Sequence, residues 1–309
     1  SGIQFALDLS QEYTSGQFTI NFFNAYDIVQ NKLQINTHEF ADLGFNNSIN
    51  VFFKPENADQ NYVITAADTN DWLIGSNSDD KFEAADGDDV IYAGDGDDEV
   101  SAGSGNDLII GGSGLGNDTY KGGDGVDTLK YTSALAEIVV DLESGTASSV
   151  AKNDPASIGN DILFGIENVT AGDFDDILIG NFENNILEGG AGDDTLHGNA
   201  GDDTLTGGTG SDTLVGGLGA DTFVYAKGDG NDNIIAFEEG VDQISYSGFT
   251  DAEIAQFVTT TPSEGDTLIT LTDGSTILKL AKAPDYDLTG TILSRGDGKL
   301  SDVAVTADT

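Results

Sequence analysis

The sequence predicts an all-β protein built around a parallel β-roll, a solenoid in which short strands stack into two parallel sheets. Two observations predict this fold. A nine-residue unit recurs through residues 66–130 and again through residues 171–224, and each unit joins a glycine- and aspartate-rich half to one large apolar residue. The roll is therefore expected in two repeat blocks, with small β elements as caps at its N-terminal and C-terminal ends.

Each nine-residue unit predicts one turn followed by one strand. Its first six residues are rich in Gly, Asp, Asn and Ser, and glycine adopts a positive φ without steric cost. Its last three residues place a large apolar side chain at position eight, which predicts a short strand with one inward side chain. Two units make one coil, so turns two units apart lie on the same edge. In the first block the position-eight residues are Leu73, Phe82, Ile91, Val100, Ile109, Tyr120 and Leu129.

The N-terminal segment, residues 1–65, lacks the repeat and predicts a small β domain or a β cap. A cap is physically needed, because an open end of a solenoid exposes unpaired backbone groups. Apolar runs separated by polar turns predict five short strands, at residues 5–9, 17–23, 32–35, 49–53 and 62–64.

The connecting segment, residues 131–170, breaks the nine-residue period and predicts a degenerate coil. Strands are expected at residues 138–142 and 161–164, around a loop that contains Pro155. The second repeat block then begins at Ala171.

The C-terminal segment, residues 225–309, predicts a second cap. Alternating polar and apolar residues at 267–271 and 276–280 predict antiparallel strands that close the roll. The large apolar residues expected in the core of this cap are Phe237, Tyr246 and Phe249.

Position six of the unit is aspartate in every unit but one, where Asn185 replaces it. Stacked turns bring these carboxylates together with backbone carbonyls, and carboxylates so close would repel one another without a cation. An anionic site made only of oxygen ligands suits Ca²⁺ better than Mg²⁺, which demands a tight octahedron. The predicted metal ligands are Asp71, Asp80, Asp89, Asp98, Asp107, Asp118, Asp127, Asp176, Asp194, Asp203, Asp212 and Asp221.

Pairing each turn with the turn two units on gives at most five calcium sites in the first block and four in the second. Two features should lower this total of about nine. Asn185 offers a neutral amide, and the sixth unit carries two extra residues, best placed at Leu115 and Gly116. The aspartates at position three are expected to stay solvated, namely Asp68, Asp86, Asp95 and Asp124.

The unit resembles the RTX calcium-binding nonapeptide, G-G-x-G-x-D-x-U-x, where U is a large apolar residue. The resemblance covers about residues 66–293. It implies a calcium-binding β-roll, export by type I secretion from a Gram-negative bacterium, and folding outside the cell when calcium binds. A disordered glycine- and aspartate-rich linker is the alternative, but a linker has no reason to keep an apolar residue in every unit.

The charge of the chain excludes several partners. Its 55 acidic and 11 basic residues give a formal net charge of −44, which argues against binding to nucleic acid or to an anionic membrane surface. No apolar run is long enough for a membrane-spanning helix, so membrane insertion is not expected. The chain has no cysteine, so disulfides cannot replace a metal ion in holding the fold together.

The first block also predicts an apolar outer face on one of the two sheets. Positions seven and nine flank the buried residue, and in alternate units they are apolar: Trp72, Ile74, Val90, Tyr92, Leu108 and Ile110. An apolar stripe of this size is not left in water. We expect the N-terminal segment or the second block to cover it, with a partner molecule as the alternative.

No enzymatic signature is present, and the chain is predicted not to be an enzyme. Its only histidines are His38, in a strand-rich segment, and His197, which is expected to point outward into solvent. Neither the H-E-x-x-H motif of zinc peptidases nor the G-x-S-x-G motif of lipases occurs.

The predicted function is that of an acidic, secreted calcium-binding protein with a structural, surface-layer (S-layer) or adhesive (adhesin) role at the cell surface. Calcium ions are the expected partners, and self-assembly or contact with a cell-surface component would follow. The first alternative is the C-terminal folding and secretion tail of a larger enzyme, a hydrolase or an epimerase. The second alternative is a module that binds a surface polysaccharide.

Overall fold

The computed structural model describes most of the two repeat blocks and parts of the flanking segments. Side chains are described within 63–111, 116–150 and 158–250, and at Glu253. The described backbone comprises residues 5–8, 17–21, 32–36, 48–53, 62–111, 116–150, 158–250, 253, 258–260, 267–270 and 276–281.

The fold is a parallel β-solenoid of two long sheets, which confirms the predicted all-β class. No helix in the described part of the chain is long and apolar enough to cross a bilayer. A separate two-stranded sheet pairs β2 (Gln17–Asn21) with β3 (Lys32–Asn36).

Within the described residues, the first sheet has eleven strands. In spatial order they are β1 (Phe5–Asp8), β4 (Ser48–Phe53), β6 (Asp71–Ile74), β8 (Val90–Tyr92), β10 (Leu108–Ile110), β12 (Thr128–Lys130), β16 (Asn168–Thr170), β18 (Ile186–Ala191), β20 (Thr204–Thr209), β22 (Thr222–Ala226) and β24 (Gln243–Ser247).

The second sheet has fourteen strands in the part of the chain that the structure describes. In spatial order they are β25 (Val258–Thr260), β26 (Thr267–Thr270), β27 (Thr276–Ala281), β23 (Asp232–Ile235), β21 (Thr213–Leu218), β19 (Thr195–Ala200), β17 (Ile177–Ile179), β13 (Ile138–Asp141), β14 (Thr146–Ser149), β15 (Asn160–Phe164), β11 (Thr119–Asp124), β9 (Glu99–Ser104), β7 (Asp80–Glu83) and β5 (Tyr62–Thr65).

The strand register confirms that two units make one coil. Leu73 pairs with Ile91 and Ile91 with Ile109 in the first sheet, whereas Phe82 pairs with Val100 in the second. All of these position-eight side chains are fully buried between the sheets. The single apolar residue of each unit therefore forms one layer of a continuous core.

The N-terminal strands form where they were predicted, and two of them continue the roll. The strand β4 pairs in parallel with β6, β5 pairs in parallel with β7, and β1 adds to β4 in antiparallel fashion. The strand β1 is therefore the terminal strand of the first sheet, and β5 is the terminal strand of the second.

The connecting segment contains a meander inside the second sheet. The strands β13, β14 and β15 pair antiparallel to one another, and they lie between β11 of the first block and β17 of the second. The strand β14 was not predicted, because Thr146–Ser149 has no apolar alternation. Pro155 lies outside the described residues.

At the C-terminal end, β26 and β27 pair antiparallel as predicted, and β27 also pairs in parallel with β23. The predicted core residues Phe237, Tyr246 and Phe249 are partly buried and pack against the main core. The ring of Phe249 stacks on Tyr225 at 6.1 Å between centroids.

The outer faces of both sheets contain covered apolar residues. In the first block Trp72 and Val90 are buried within the chain itself, and the Trp72 ring stacks on Tyr92 at 5.6 Å. In the second block His197 lies between Ile179 and Val215, both of which are buried. The expectation that His197 is solvated was wrong. Its ring is largely buried among these neighbours, and burial lowers its pKa.

Candidate calcium sites

The position-six side chains form a hydrogen-bonded ladder along each edge of the roll. All twelve predicted aspartates and Asn185 are buried. Within each block, the backbone N–H of one position-six residue donates to the Oδ1 atom of the residue one coil later, at 2.7 to 3.0 Å. One carboxylate oxygen therefore holds adjacent coils in register, and Oδ2 remains available for a ligand.

In eight of these aspartates the Oδ2 atom is buried and has no hydrogen-bond donor in the protein. They are Asp89, Asp98, Asp107, Asp127, Asp194, Asp203, Asp212 and Asp221. Leaving one buried acceptor unsatisfied costs about 1 to 3 kcal/mol, and more when the group is charged. Eight such atoms in equivalent places therefore indicate that a cation belongs beside them.

The backbone at position two decides whether Oδ2 is left without a donor. In the eight units the position-two residue has a positive φ, including the non-glycine residues Ala85 (78°) and Asn199 (76°). In the leading unit of each edge it does not, and the position-two N–H donates to the carboxylate of its own turn. Asp71, Asp80 and Asp176 accept such bonds from Ala67, Ser76 and Gly172.

Asn185 leads the fourth edge and follows the same pattern. Its Oδ1 accepts the N–H of Asn181 at 2.8 Å, and its Nδ2 donates to the carbonyl of Glu167 at 2.8 Å. The amide thus supplies a donor that an aspartate would lack.

Burial raises the pKa of several aspartates in the position-six ladder. Burial, reinforced by neighbouring carboxylates, raises the pKa of Asp89 to about 8 and that of Asp98 to about 9. In the second block burial raises the pKa of Asp194 to about 7 and that of Asp203 to about 6. The ionised ladder is thus unstable near neutral pH unless a cation compensates it.

The donor set fits a hard cation that accepts backbone oxygens. No three acidic or histidine side chains converge in the described residues, so carboxylates alone cannot complete a site. Backbone carbonyls can supply the remainder, because the turns stack very closely. A Cβ at Gly208, where φ is +105°, would lie 1.9 Å from the carbonyl oxygen of Gly190 one coil earlier. Calcium takes six to eight oxygens in flexible geometry and suits this arrangement.

A second ladder, which the sequence analysis missed, runs along position five. Here an exposed Asp or Asn side chain accepts the N–H of the residue one coil later, for example Asp193 from Ser211 at 2.8 Å and Asp202 from Ala220 at 2.9 Å. The same bond links Asp79 to Asp97 in the first block. At position five the later coil therefore donates to the earlier one, whereas at position six the earlier coil donates to the later one.

Four further acidic residues extend the position-six ladder beyond the predicted set. Asp161 and Glu167 accept the N–H groups of Asp118 and Asp127, while Asp232 and Asp242 accept those of Asp212 and Asp221. Only Asp232 had a visible signal, in the turn-like run of residues 228–232. The two extra residues Tyr225 and Ala226 displace this run by two positions from the nine-residue spacing, so the spacing does not mark it.

Most of the position-three aspartates are exposed, as expected. At position three Asp68, Asp86 and Asp124 are exposed, whereas Asp95 is partly buried. Gly116 is described, but Leu115 and His38 lie outside the described residues.

A parallel β-solenoid with an acidic ladder at one turn position defines the class of calcium-binding β-rolls. The family model of the RTX calcium-binding nonapeptide repeat (4 copies) matches the chain in overlapping segments at residues 65–100, 83–115, 92–129, 170–205, 188–223, 197–232 and 206–244. Residues 65–129 and 170–244 thus consist of RTX calcium-binding repeats.

Two solved structures are similar to parts of the chain. The AlgE6R3 subunit of the Azotobacter vinelandii mannuronan C5-epimerase is 30% identical, with a TM-score of 0.29 over 36% of this chain and 71% of that one. The extracellular lipase LipA from Serratia marcescens is 20% identical, with a TM-score of 0.26 over 74% of this chain and 38% of that one. No curated protein matches the sequence significantly.

Proposed function

We propose that this chain is exported by type I secretion from a Gram-negative cell and that calcium folds it outside, where it has a structural, surface-layer or adhesive role. The observation that supports this proposal most directly is the row of eight buried Oδ2 atoms that have no hydrogen-bond donor. A fold that leaves so many charged acceptors unsatisfied needs a cation to be stable, so the free energy of calcium binding becomes free energy of folding.

The net charge supports folding after export. A formal charge of −44 opposes compaction when calcium is scarce, as in the cytosol, and keeps the chain extended for transport. Extracellular sites with weak affinity are still filled by millimolar calcium. The same chemistry therefore keeps the chain unfolded on one side of the membrane and folds it on the other.

One exposed apolar row supports a role in assembly or adhesion. Position three of three successive coils on one edge holds Phe182, Ala200 and Leu218, and both Phe182 and Leu218 are 72% exposed. Apolar side chains so exposed in neighbouring coils favour contact with another surface.

The second candidate is the folding and secretion tail of a larger enzyme. It is favoured by the continuity of the roll, since every described strand from β4 to β27 belongs to one of the two long sheets. A domain whose strands all serve the roll has the properties of a folding module.

Size-exclusion chromatography and electron microscopy, in millimolar calcium and after EGTA, test the proposal. We expect ordered assemblies in calcium that dissolve on chelation, and we expect the double variant F182S/L218S to remain a folded monomer. Val126 is also exposed and apolar but lies in the first block, so V126S is the matched control and should still assemble. A compact wild-type monomer in calcium that only unfolds in EGTA would refute self-assembly and favour the enzyme tail.

A further inference from the structure

At one place within the ladder, tyrosine hydroxyls from the core supply the Oδ2 donors that eight of the aspartates lack. Where the first block meets the connecting segment, the Tyr120 hydroxyl donates to Asp118 Oδ2 at 2.7 Å, and the Tyr131 hydroxyl donates to Asp161 Oδ2 at 2.6 Å. The two rings contact each other edge to face, 6.4 Å apart. All four side chains are buried.

This cluster, which we call the tyrosine joint, keeps the ladder but removes the unsatisfied oxygens. The Asp98 N–H still donates to Asp118 Oδ1, and the Asp118 N–H still donates to Asp161 Oδ1. In the eight aspartates described above, the equivalent Oδ2 atom has no donor. Here a neutral hydroxyl from the core takes that place, so both carboxylates have both oxygens hydrogen-bonded within the protein.

The surroundings of the joint are adapted to the two rings. Tyr131 follows the last unit of the first block, at the position where most units begin with Ala or Gly. Its ring lies against Gly111, where a Cβ would approach the Tyr131 ring at 2.9 Å and the Tyr120 hydroxyl at 3.3 Å. The only insertion in the first block also lies in the turn before Tyr120. Tyr131 therefore fills a space that small residues occupy in the other coils, and its ring lies beside Tyr120, which is at position eight.

We propose that the tyrosine joint replaces calcium at the end of this edge and stays ordered without it. Calcium then stabilises the coils on both sides, while the joint holds the two blocks together before and after loading. The inference concerns how the roll folds and does not depend on the role of the protein outside the cell.

Hydrogen exchange of the full chain in EGTA, read by mass spectrometry, tests this proposal. We expect amides at residues 118–131 and 158–164 to exchange at least about tenfold more slowly than those at 190–222, because local stability in the joint does not require the ion. In the variant Y120F/Y131F this residual protection should disappear in EGTA, whereas the calcium-loaded chain remains protected throughout.

A matched control distinguishes the effect of losing the tyrosine joint from the effect of losing any buried tyrosine hydroxyl. Tyr225 is also buried, but its hydroxyl donates to the carbonyl of Gly230 and not to a carboxylate. Y225F should leave protection of the joint in EGTA unchanged. Exchange in the joint as fast as in an unprotected 190–222 of the wild type, or unchanged protection in Y120F/Y131F, would overturn the proposal. Protection that survives EGTA throughout 190–222 would instead refute calcium-dependent folding, so the two hypotheses fail separately.

Discussion

The backbone N–H of Asp194 donates to Oδ1 of Asp212, 2.8 Å away and one coil later, while Oδ2 of Asp212 has no donor. One carboxylate thus does two different things with its two oxygens. The first oxygen sets the register between coils, and the second is available to a cation.

Replacing Asp212 by Asn should separate these two roles. The amide oxygen can still accept the Asp194 N–H, but an NH₂ group then lies where the cation belongs. We expect D212N to lose one calcium ion and to raise the calcium concentration at half-folding by about 10-fold, the scale on which loss of a metal-site partner is felt. A calcium titration followed by circular dichroism, with dialysis to count bound ions, measures both.

The control for D212N is D193N, in the adjacent position of the same turn. Asp193 is exposed and accepts the Ser211 N–H, a bond that an amide keeps. D193N should retain the wild-type calcium count and midpoint. If D193N and D212N behaved alike, the assignment of the cation to position six would be wrong.

Converting Asn185 to aspartate should weaken the protein and not create a calcium site. The Asn185 amide donates to the Glu167 carbonyl at 2.8 Å, and a carboxylate oxygen there would face another acceptor. We expect N185D to lower the free energy of unfolding in calcium by about 1 to 3 kcal/mol, the cost of an unsatisfied buried group. A denaturant titration would contradict this expectation if N185D were more stable than the wild type.

In the eight units whose Oδ2 atom has no donor, position-two residues have a positive φ, and this conformation predicts the effects of two substitutions. Introducing glycine there should stabilise the protein, whereas replacing glycine there should destabilise it. Ala85 has a φ of 78°, which glycine adopts more readily, so A85G should raise stability by about 1 kcal/mol. Gly208 has a φ of 105°, and a Cβ there would meet the Gly190 carbonyl oxygen. G208A should therefore prevent closure of its turn and lower the melting temperature in calcium. A thermal melt in which both variants shift the same way would argue against this account of position two.

Lowering the pH should partly replace calcium in stabilising the fold. In the metal-free fold the pKa of Asp89 is about 8 and that of Asp98 about 9, both raised from 3.8 by burial. Because the folded state binds these protons more tightly than the unfolded state, stability without calcium increases as pH falls from about 9 toward 4 and is lost as pH rises. Circular dichroism in EGTA should show more β structure at pH 5 than at pH 8.

The same protonation should weaken calcium binding at low pH, because the ion competes with protons for the carboxylates. Lower pH also reduces the overall negative charge, so high salt at pH 8 is the control. Salt screens exposed charges but does not protonate buried groups. Folding in salt at pH 8 equal to that at pH 5 would show that surface repulsion, and not the ladder, opposes folding.

The periodic part of the fold could be predicted from the sequence, because local spacing determines it. An apolar residue at position eight specifies the core, and an aspartate at position six specifies the edge. The unpredicted parts depend on contacts between distant segments. The strand β14 forms because β13 and β15 pair with it on both sides, and its own residues do not favour a strand.

The acidic residues that were missed have the same explanation. Glu167 reaches the ladder through a turn of only a few residues between β15 and β16, so no nine-residue spacing marks it. Tyr131 enters the core at a position that is usually small, and only the folded coil shows that its hydroxyl meets Asp161.

The two ladders also give the roll a mechanical property. At position six an earlier coil donates to a later one, and at position five a later coil donates to an earlier one, so neighbouring coils are fastened in both directions. Tension applied to the two ends would detach coils one at a time, each releasing about two repeat units of chain. With calcium between the coils, the force needed for each step rises with the calcium concentration, and the roll behaves as an extensible tether whose stiffness is set by the surrounding medium.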